Sequence, residues 1–188
     1  MGTSLTKKAH WQAATLTIAG ALARLLPHPP NFTPVGAMSL FAGAKMAGWQ
    51  GYFLPLAVML VTDPILSAIH GFPAFSELTP VIYASFLINV WIGQRFLSRS
   101  AGPVRILLLT SVCSLKFFLM TNFAVWAFGD GTLYAHTWAG LMACYTLAIP
   151  FLGRTLMGDL LFSALLFGLY EFSKKRLQDQ EKFPTREN

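Results

Sequence analysis

The chain has 188 residues, 54% of them hydrophobic and only 12% charged, with a mean hydropathy of +0.52. A soluble domain carries about 25% charged residues, so half that share leaves too little charge to cover a water-facing surface and excludes an ordinary soluble enzyme. The net charge of +6 does not point to nucleic acid, because the basic residues gather at the ends of apolar runs, as orientation signals do.

Lipid is therefore the expected solvent, and in lipid every backbone group must be paired within helices or a closed barrel. The apolar runs are about 16–24 residues long, near the roughly 20 that a spanning helix needs. They do not alternate apolar and polar as barrel strands do. The expected fold class is an all-α integral membrane protein. It is a six-helix transmembrane bundle in one domain, residues 1–173, followed by a charged tail, 174–188.

Residues 1–10 form a short polar start with Lys7, Lys8 and His10. The first apolar run covers 11–27. Its Ala21-Leu22-Ala23 has the small-residue pattern of a signal cleavage site, but Thr and Gln interrupt the run, which reads better as a span. A hinge follows, Pro27-His28-Pro29-Pro30-Asn31-Phe32-Thr33-Pro34, where four prolines in eight residues forbid a helix. The second run, 35–48, places Ser39, Gly43 and Ala47 at four-residue spacing, as Ala19 and Ala23 are placed in the first. Small residues on one face let another helix approach closely.

The third and fourth runs are 51–69 and 79–97, joined by a loop with Gly71, Pro73 and Glu77. A basic loop with Arg95, Arg99 and Arg105 leads to the fifth run, 104–128, which ends at Gly129-Asp130-Gly131. The stretch 137–172 is too long for one span. Pro150 and Gly153 divide it into an interfacial or re-entrant helix, 137–149, and a sixth span, 151–172. With six spans, Lys7, Lys8, Lys45, Arg95, Arg99, Arg105, Lys174, Lys175 and Arg176 fall on one side and only Glu77 and Asp130 on the other, so both termini are expected in the cytoplasm.

The informative residues are those that lipid excludes: Arg24, Asp63, Lys116, Arg154 and Asp159. Each costs about 2.5–3.5 kcal/mol at a helix centre, unless it meets another such group or a wet cavity. In the six-span reading most of them lie in the outer half, with mixed signs, and a polar pocket open to the outside accounts for them. Pro64 beside Asp63 and Pro150 near Arg154 break helix hydrogen bonds, which is tolerated at membrane depth where a cavity is lined. The hinge, with His28 and Asn31, is expected to cap that pocket.

The candidate ligand-binding residues are Arg24, His28, Asn31, Asp63, Tyr83, Lys116, Asn122, Arg154 and Asp159. The competing reading is structural: Asp63 or Asp159 pairs with Arg24 or Arg154 and holds helices together. Thr155 and Asp159 share a helix face, whereas Arg154 and Asp159 are about 140° apart. Ser85 and Asn89 give the fourth run a polar side, and Asn122, Trp126, Trp138 and Tyr145 suit either a pocket rim or an interfacial aromatic belt. Cys113 and Cys144 lie inside apolar runs and read as small buried hydrophobes. No catalytic triad, P-loop, HExxH or zinc-site spacing is present, so no cofactor is expected and any energy input comes from a partner or a gradient.

Arg24-Leu-Leu-Pro-His-Pro-Pro-Asn-Phe-Thr-Pro34, Thr121-Asn122-Phe123-Ala-Val-Trp126, Cys144-Tyr145 with Ile149-Pro150-Phe151, and Thr155 through Gly158-Asp159 resemble a family of small bacterial membrane proteins of unknown function, over about residues 20–172. That family in turn resembles the substrate-binding S components of energy-coupling factor transporters. The resemblance implies a six-helix fold in the bacterial cytoplasmic membrane and a vitamin or cofactor-like ligand held near the outer face. It also implies an energising module of a transmembrane subunit plus ATPases, met by small residues such as Ala19 and Ala23. The solitary cobalamin type is the nearest comparison, and Asp63, Tyr83 and Arg154 match its pocket positions. That type presents a cysteine to cobalt, and the loop between spans three and four has none here.

The expected function is thus capture of a small molecule for uptake. The alternatives are an intramembrane enzyme acting on a lipid or cofactor through Asp63 or Asp159, and a structural or assembly protein whose buried charges fix helix packing.

Overall fold

The computed structural model describes residues 2–27, 29–46, 48–97 and 101–182, with side chains from Lys8 to Asp179 within those ranges. His28, Ala47 and Arg99 lie outside the described residues. The described chain is all helical: α1 Gly2–Ala23, α2 Val35–Lys45, α3 Gln50–His70, α4 Thr79–Phe96, α5 Pro103–Phe128 and α6 Trp138–Lys182. Three of these, α3, α5 and α6, are long and apolar enough to cross a membrane.

Polar groups are inside and large apolar groups outside. Thr17, Ser39, Thr62, Ser85, Asn89, Thr110, Ser114, Asp159 and Ser163 are buried, while Phe53, Val61, Ile69, Leu108, Leu119, Phe123, Leu147 and Leu169 are exposed. An apolar outer surface of this extent needs lipid or a partner against it, and α3, α5 and α6 are each long and apolar enough to cross a bilayer.

The centre of the molecule is α2. Every residue from Val35 to Ala44 is buried, and α2 packs against all five other helices. Phe41 sets its ring edge against Phe167 and Tyr170 of α6. On the α4 side the backbones meet. A Cβ at Gly43 would overlap the Val90 carbonyl, and one at Gly93 would overlap the Leu40 carbonyl. The two glycines let α2 and α4 cross at backbone contact.

Several boundaries differ from expectation. The second run yields a helix of only 11 residues, about 16 Å long against a hydrocarbon core of about 30 Å. It is not a full crossing by itself, because the prolines of the hinge keep the chain non-helical up to Pro34. The interfacial or re-entrant helix expected at 137–149 is not separate: α6 runs unbroken for 45 residues through Pro150 and Gly153 and on past Lys174. A proline removes one helix hydrogen bond, and membrane helices tolerate that when neighbours compensate. The charged tail from Lys174 is not separate from the last helix, which continues to Lys182. On α1 the buried small residues are Ala13, Thr17, Gly20 and Ala21, whereas Ala19 is exposed and Ala23 half-buried.

Candidate functional site

One end of the bundle holds a cavity of about 320 Å³, lined by polar residues from α3, α4 and α6 and from both connections that cover them. Arg24 enters just after α1 ends, where three backbone bonds, each to the residue three back, turn the chain. Its Nη1 donates to Asp63 Oδ1 at 2.8 Å and to Thr62 Oγ1 at 2.8 Å. Tyr83 of α4 donates its hydroxyl to Asp63 Oδ2 in a short bond. The Asp63 carboxylate therefore has a guanidinium on one oxygen and a phenol on the other. Both members of the ion pair are mostly buried, at 13% and 14% exposure.

The opposite wall is built on α2, α5 and α6. Asp159 is 4% exposed. The backbone N–H of Ala37 donates to its Oδ1 at 3.1 Å, and Ser114 Oγ lies 2.7 Å from its Oδ2. Ser114 also lies 3.1 Å from the Thr110 carbonyl; its single proton goes to the closer, charged acceptor. Ala37 is in the first turn of α2, whose N-cap residue is Pro34, with no side-chain cap. Asp159 thus serves as an N-cap supplied from another helix, where a carboxylate also meets the positive end of the helix dipole. Gly36 lets the carboxylate come this close, because a Cβ there would overlap it and force the Asp159 side chain to shift.

Lys116 of α5 stands next to this wall without lining the cavity. Its ammonium donates to the Ser85 carbonyl, to Ser85 Oγ at 2.7 Å and to Asn89 Oδ1 at 2.7 Å. An ammonium has three N–H donors, so its capacity is filled by neutral acceptors. Asn89 spends its amide on Gly36 O at 3.4 Å and faces the cavity. The polar side expected on α4 from Ser85 and Asn89 is thus a buried cradle for Lys116.

The hinge covers this region. Asn31 and Thr33 line the cavity, Phe32 packs on Phe162, and a Cβ at Gly158 of α6 would touch the backbone of Phe32 and Thr33. Asn31 takes a left-handed φ of 66°, which asparagine accepts better than most residues. The α3–α4 connection contributes Phe72, Pro73, Ala74 and Ser76.

Of the nine candidate residues, Arg24, Asn31, Asp63, Tyr83 and Asp159 line this one cavity, and Lys116 buttresses it. Asn122 lines a neighbouring cavity of about 110 Å³ that shares Asn31, Phe117 and Thr155 with the larger one. Arg154 stands apart. It is exposed on α6, its guanidinium 5.9 Å from the Phe151 ring, and among the described residues it has no carboxylate within ion-pair distance. The helical phase that turns Asp159 and Thr155 inward turns Arg154 out. The pairing of Asp63 is with Arg24. His28 lies outside the described residues. Sequence reasoning missed Ser114 and the backbone of Gly36–Ala37. Ser114 had a signal, a hydroxyl two positions before Lys116 in an apolar run, whereas a backbone donor has none.

Trp126 Nε1 donates to the Ala135 carbonyl and Tyr145 to the Leu119 carbonyl, tying the α5–α6 turn. In that turn the Thr132 hydroxyl and amide donate to Asp130 and hold its carboxyl below the usual range.

Taken together, these features define an all-helical protein of membrane character with a polar cavity at one end of the bundle. The chain belongs to a family of unknown function, DUF6580, whose model matches residues 4–182. No curated protein matches it. No solved structure matches it.

Proposed function

We propose that the protein captures a small polar or amphipathic molecule in this cavity for uptake across the bacterial cytoplasmic membrane. The chain crosses six times, with the hinge and α2 together making the second crossing as a broken span, and both termini are cytoplasmic. Support comes from the distribution of Lys and Arg and from the Lys45–Glu171 ion pair of 2.7 Å, which joins the end of α2 to the last part of α6. A broken span whose half-helix starts beside a polar cavity is a recurrent device of membrane transport proteins.

The observation that carries the reading is the convergence of Arg24, Asp63, Tyr83, Asn89 and Asp159 from four separated segments on one lined space. Such a convergence of polar groups in an otherwise apolar bundle is what a specific site needs. Its volume is at the low end of the roughly 300–1,000 Å³ of small-molecule sites, which favours a compact ligand over a corrinoid. A role as the S component of an energy-coupling factor transporter, with ATPases in a partner, is the architecture this reading fits.

The test is mass spectrometry of small molecules released from protein purified out of its own membranes, beside Thr155→Phe. Thr155 lines both cavities and its hydroxyl bonds only its own helix, at Phe151 O, so the ring fills the site at little cost to the fold. A compound enriched in the native protein and absent from the variant is expected. Identical extracts from the two proteins would sink the proposal.

A further inference from the structure

The cavity contains two carboxylates in different electrostatic situations. Asp63 is met by the Arg24 guanidinium at 2.8 Å. Asp159 is more deeply buried, yet no cation lies within 4 Å of it among the described residues. The Lys116 ammonium acts on Asp159 only through space, because its three N–H donors go to Ser85 and Asn89. Each oxygen of Asp159 receives one neutral donor, Ala37 N–H or Ser114 O–H. A carboxylate has about four lone-pair positions, so acceptor capacity remains, and Asp159 lines the cavity. A buried carboxylate is costly unless an opposite charge meets it.

From this geometry we infer that the counter-ion of Asp159 is supplied by the ligand: the molecule captured carries a protonated nitrogen that reaches the inner wall of the cavity. This inference rests on the proposed capture function and names the ligand class for the same site. The lining of the cavity favours an organic ammonium over a metal ion. Met59, Ile82, Phe86 and Phe117 supply apolar surface, with the Phe86 and Phe117 rings stacked 5.1 Å apart. Aromatic faces attract organic cations. No group of three or more His, Cys, Asp or Glu that could hold a metal ion occurs among the described residues. The rest of the ligand extends toward Tyr83 and the Arg24–Asp63 pair, where hydroxyl, amide or carboxylate groups would find partners.

The test separates charge from capping. Asp159→Asn keeps a side-chain oxygen to accept from Ala37 N–H, so the α2 start stays capped, but the charge is gone. Thermal unfolding of the native protein and of Asp159→Asn is followed with 2-phenylethylamine and with its neutral counterpart 2-phenylethanol. The amine should raise the melting temperature of the native protein and bind Asp159→Asn at least tenfold more weakly, while the alcohol treats both alike. An amine that shifts neither protein, or both equally, overturns the inference. So does a shift produced by sodium chloride over potassium chloride at equal ionic strength with none from the amine. Co-purified compounds distinguish the two levels. Enriched molecules that all lack a basic nitrogen overturn the ligand class and leave the capture function standing, whereas no enriched molecule overturns both.

Discussion

The α2–α4 crossing offers a severe test of the fold, because it leaves no room for a methyl group on either side. A Cβ at Gly43 would overlap the Val90 carbonyl, and one at Gly93 the Leu40 carbonyl. The obstacle is backbone in both cases, so no side-chain rotation can relieve it. Overpacking a close-packed interior costs about 1–3 kcal/mol, and a rigid neighbour places Gly43→Ala and Gly93→Ala in the upper half of that range. For a chain of this size the loss corresponds to a fall in melting temperature of roughly 4–12 °C. One outward shift of α4 relieves both overlaps, so the double variant should lose clearly less than the two single losses added. The control is Gly168→Ala in α6, where nothing lies within 4 Å of the added carbon; it should be neutral or stabilising by about 0.5–1 kcal/mol. Unfolding of the four variants and the native protein in detergent, followed by circular dichroism, decides the matter. If Gly43→Ala melts with Gly168→Ala, α2 does not run against α4 at backbone contact and is not the centre of the bundle.

Three further outcomes are expected. Asp63→Leu leaves the Arg24 guanidinium without its carboxylate and should cost about 3 kcal/mol, near the low end for a broken buried pair because this one borders a cavity; Arg24→Met with Asp63→Leu should recover part of it in a double-mutant cycle of unfolding free energies, and strictly additive losses would mean that the pair is not formed. Lys116→Met should weaken the packing of α4 on α5, because Asn89 Oδ1 and the Ser85 carbonyl lose their donor, at about 1–3 kcal/mol; an unchanged melting temperature would contradict the cradle. Reporter fusions at the C-terminus and at Gly129–Gly131 should fall on opposite sides of the membrane, and the same side for both would refute six crossings.

Much of this site could be read from the chain, because a charge inside an apolar run is hard to explain any other way. Arg24, Asp63, Lys116 and Asp159 were each conspicuous for that reason, and all four lie at or against one cavity. Which of them touch was not legible. Asp63 and Asp159 were open to pairing with Arg24 or Arg154, apart from Arg154 with Asp159, which lie about 140° apart on one helix; only the phase of α6 in the bundle turns Arg154 outward. Pro150 misled because proline is a breaker in water, whereas in α6 the helix continues through it. The hinge prolines ended the helix as expected, but the outcome, an 11-residue α2 buried on every side, depends on five other helices that no local pattern describes. The partner of Asp159 is a backbone N–H at the start of that helix. Nothing in side-chain chemistry announces such a donor, so the most buried charge of the cavity was visible and its surroundings were not.

Everything proposed for this protein depends on the cavity lined by Asp63 and Asp159 holding a small molecule. A density map of the protein purified from its own membranes into lipid nanodiscs tests it most directly. Compact non-protein density between the Tyr83 hydroxyl and the Asp159 carboxylate, lost in Thr155→Phe, is the expected result. A cavity collapsed by rotation of Phe86 and Phe117, or filled only by a lipid tail entering from the side, would contradict the account.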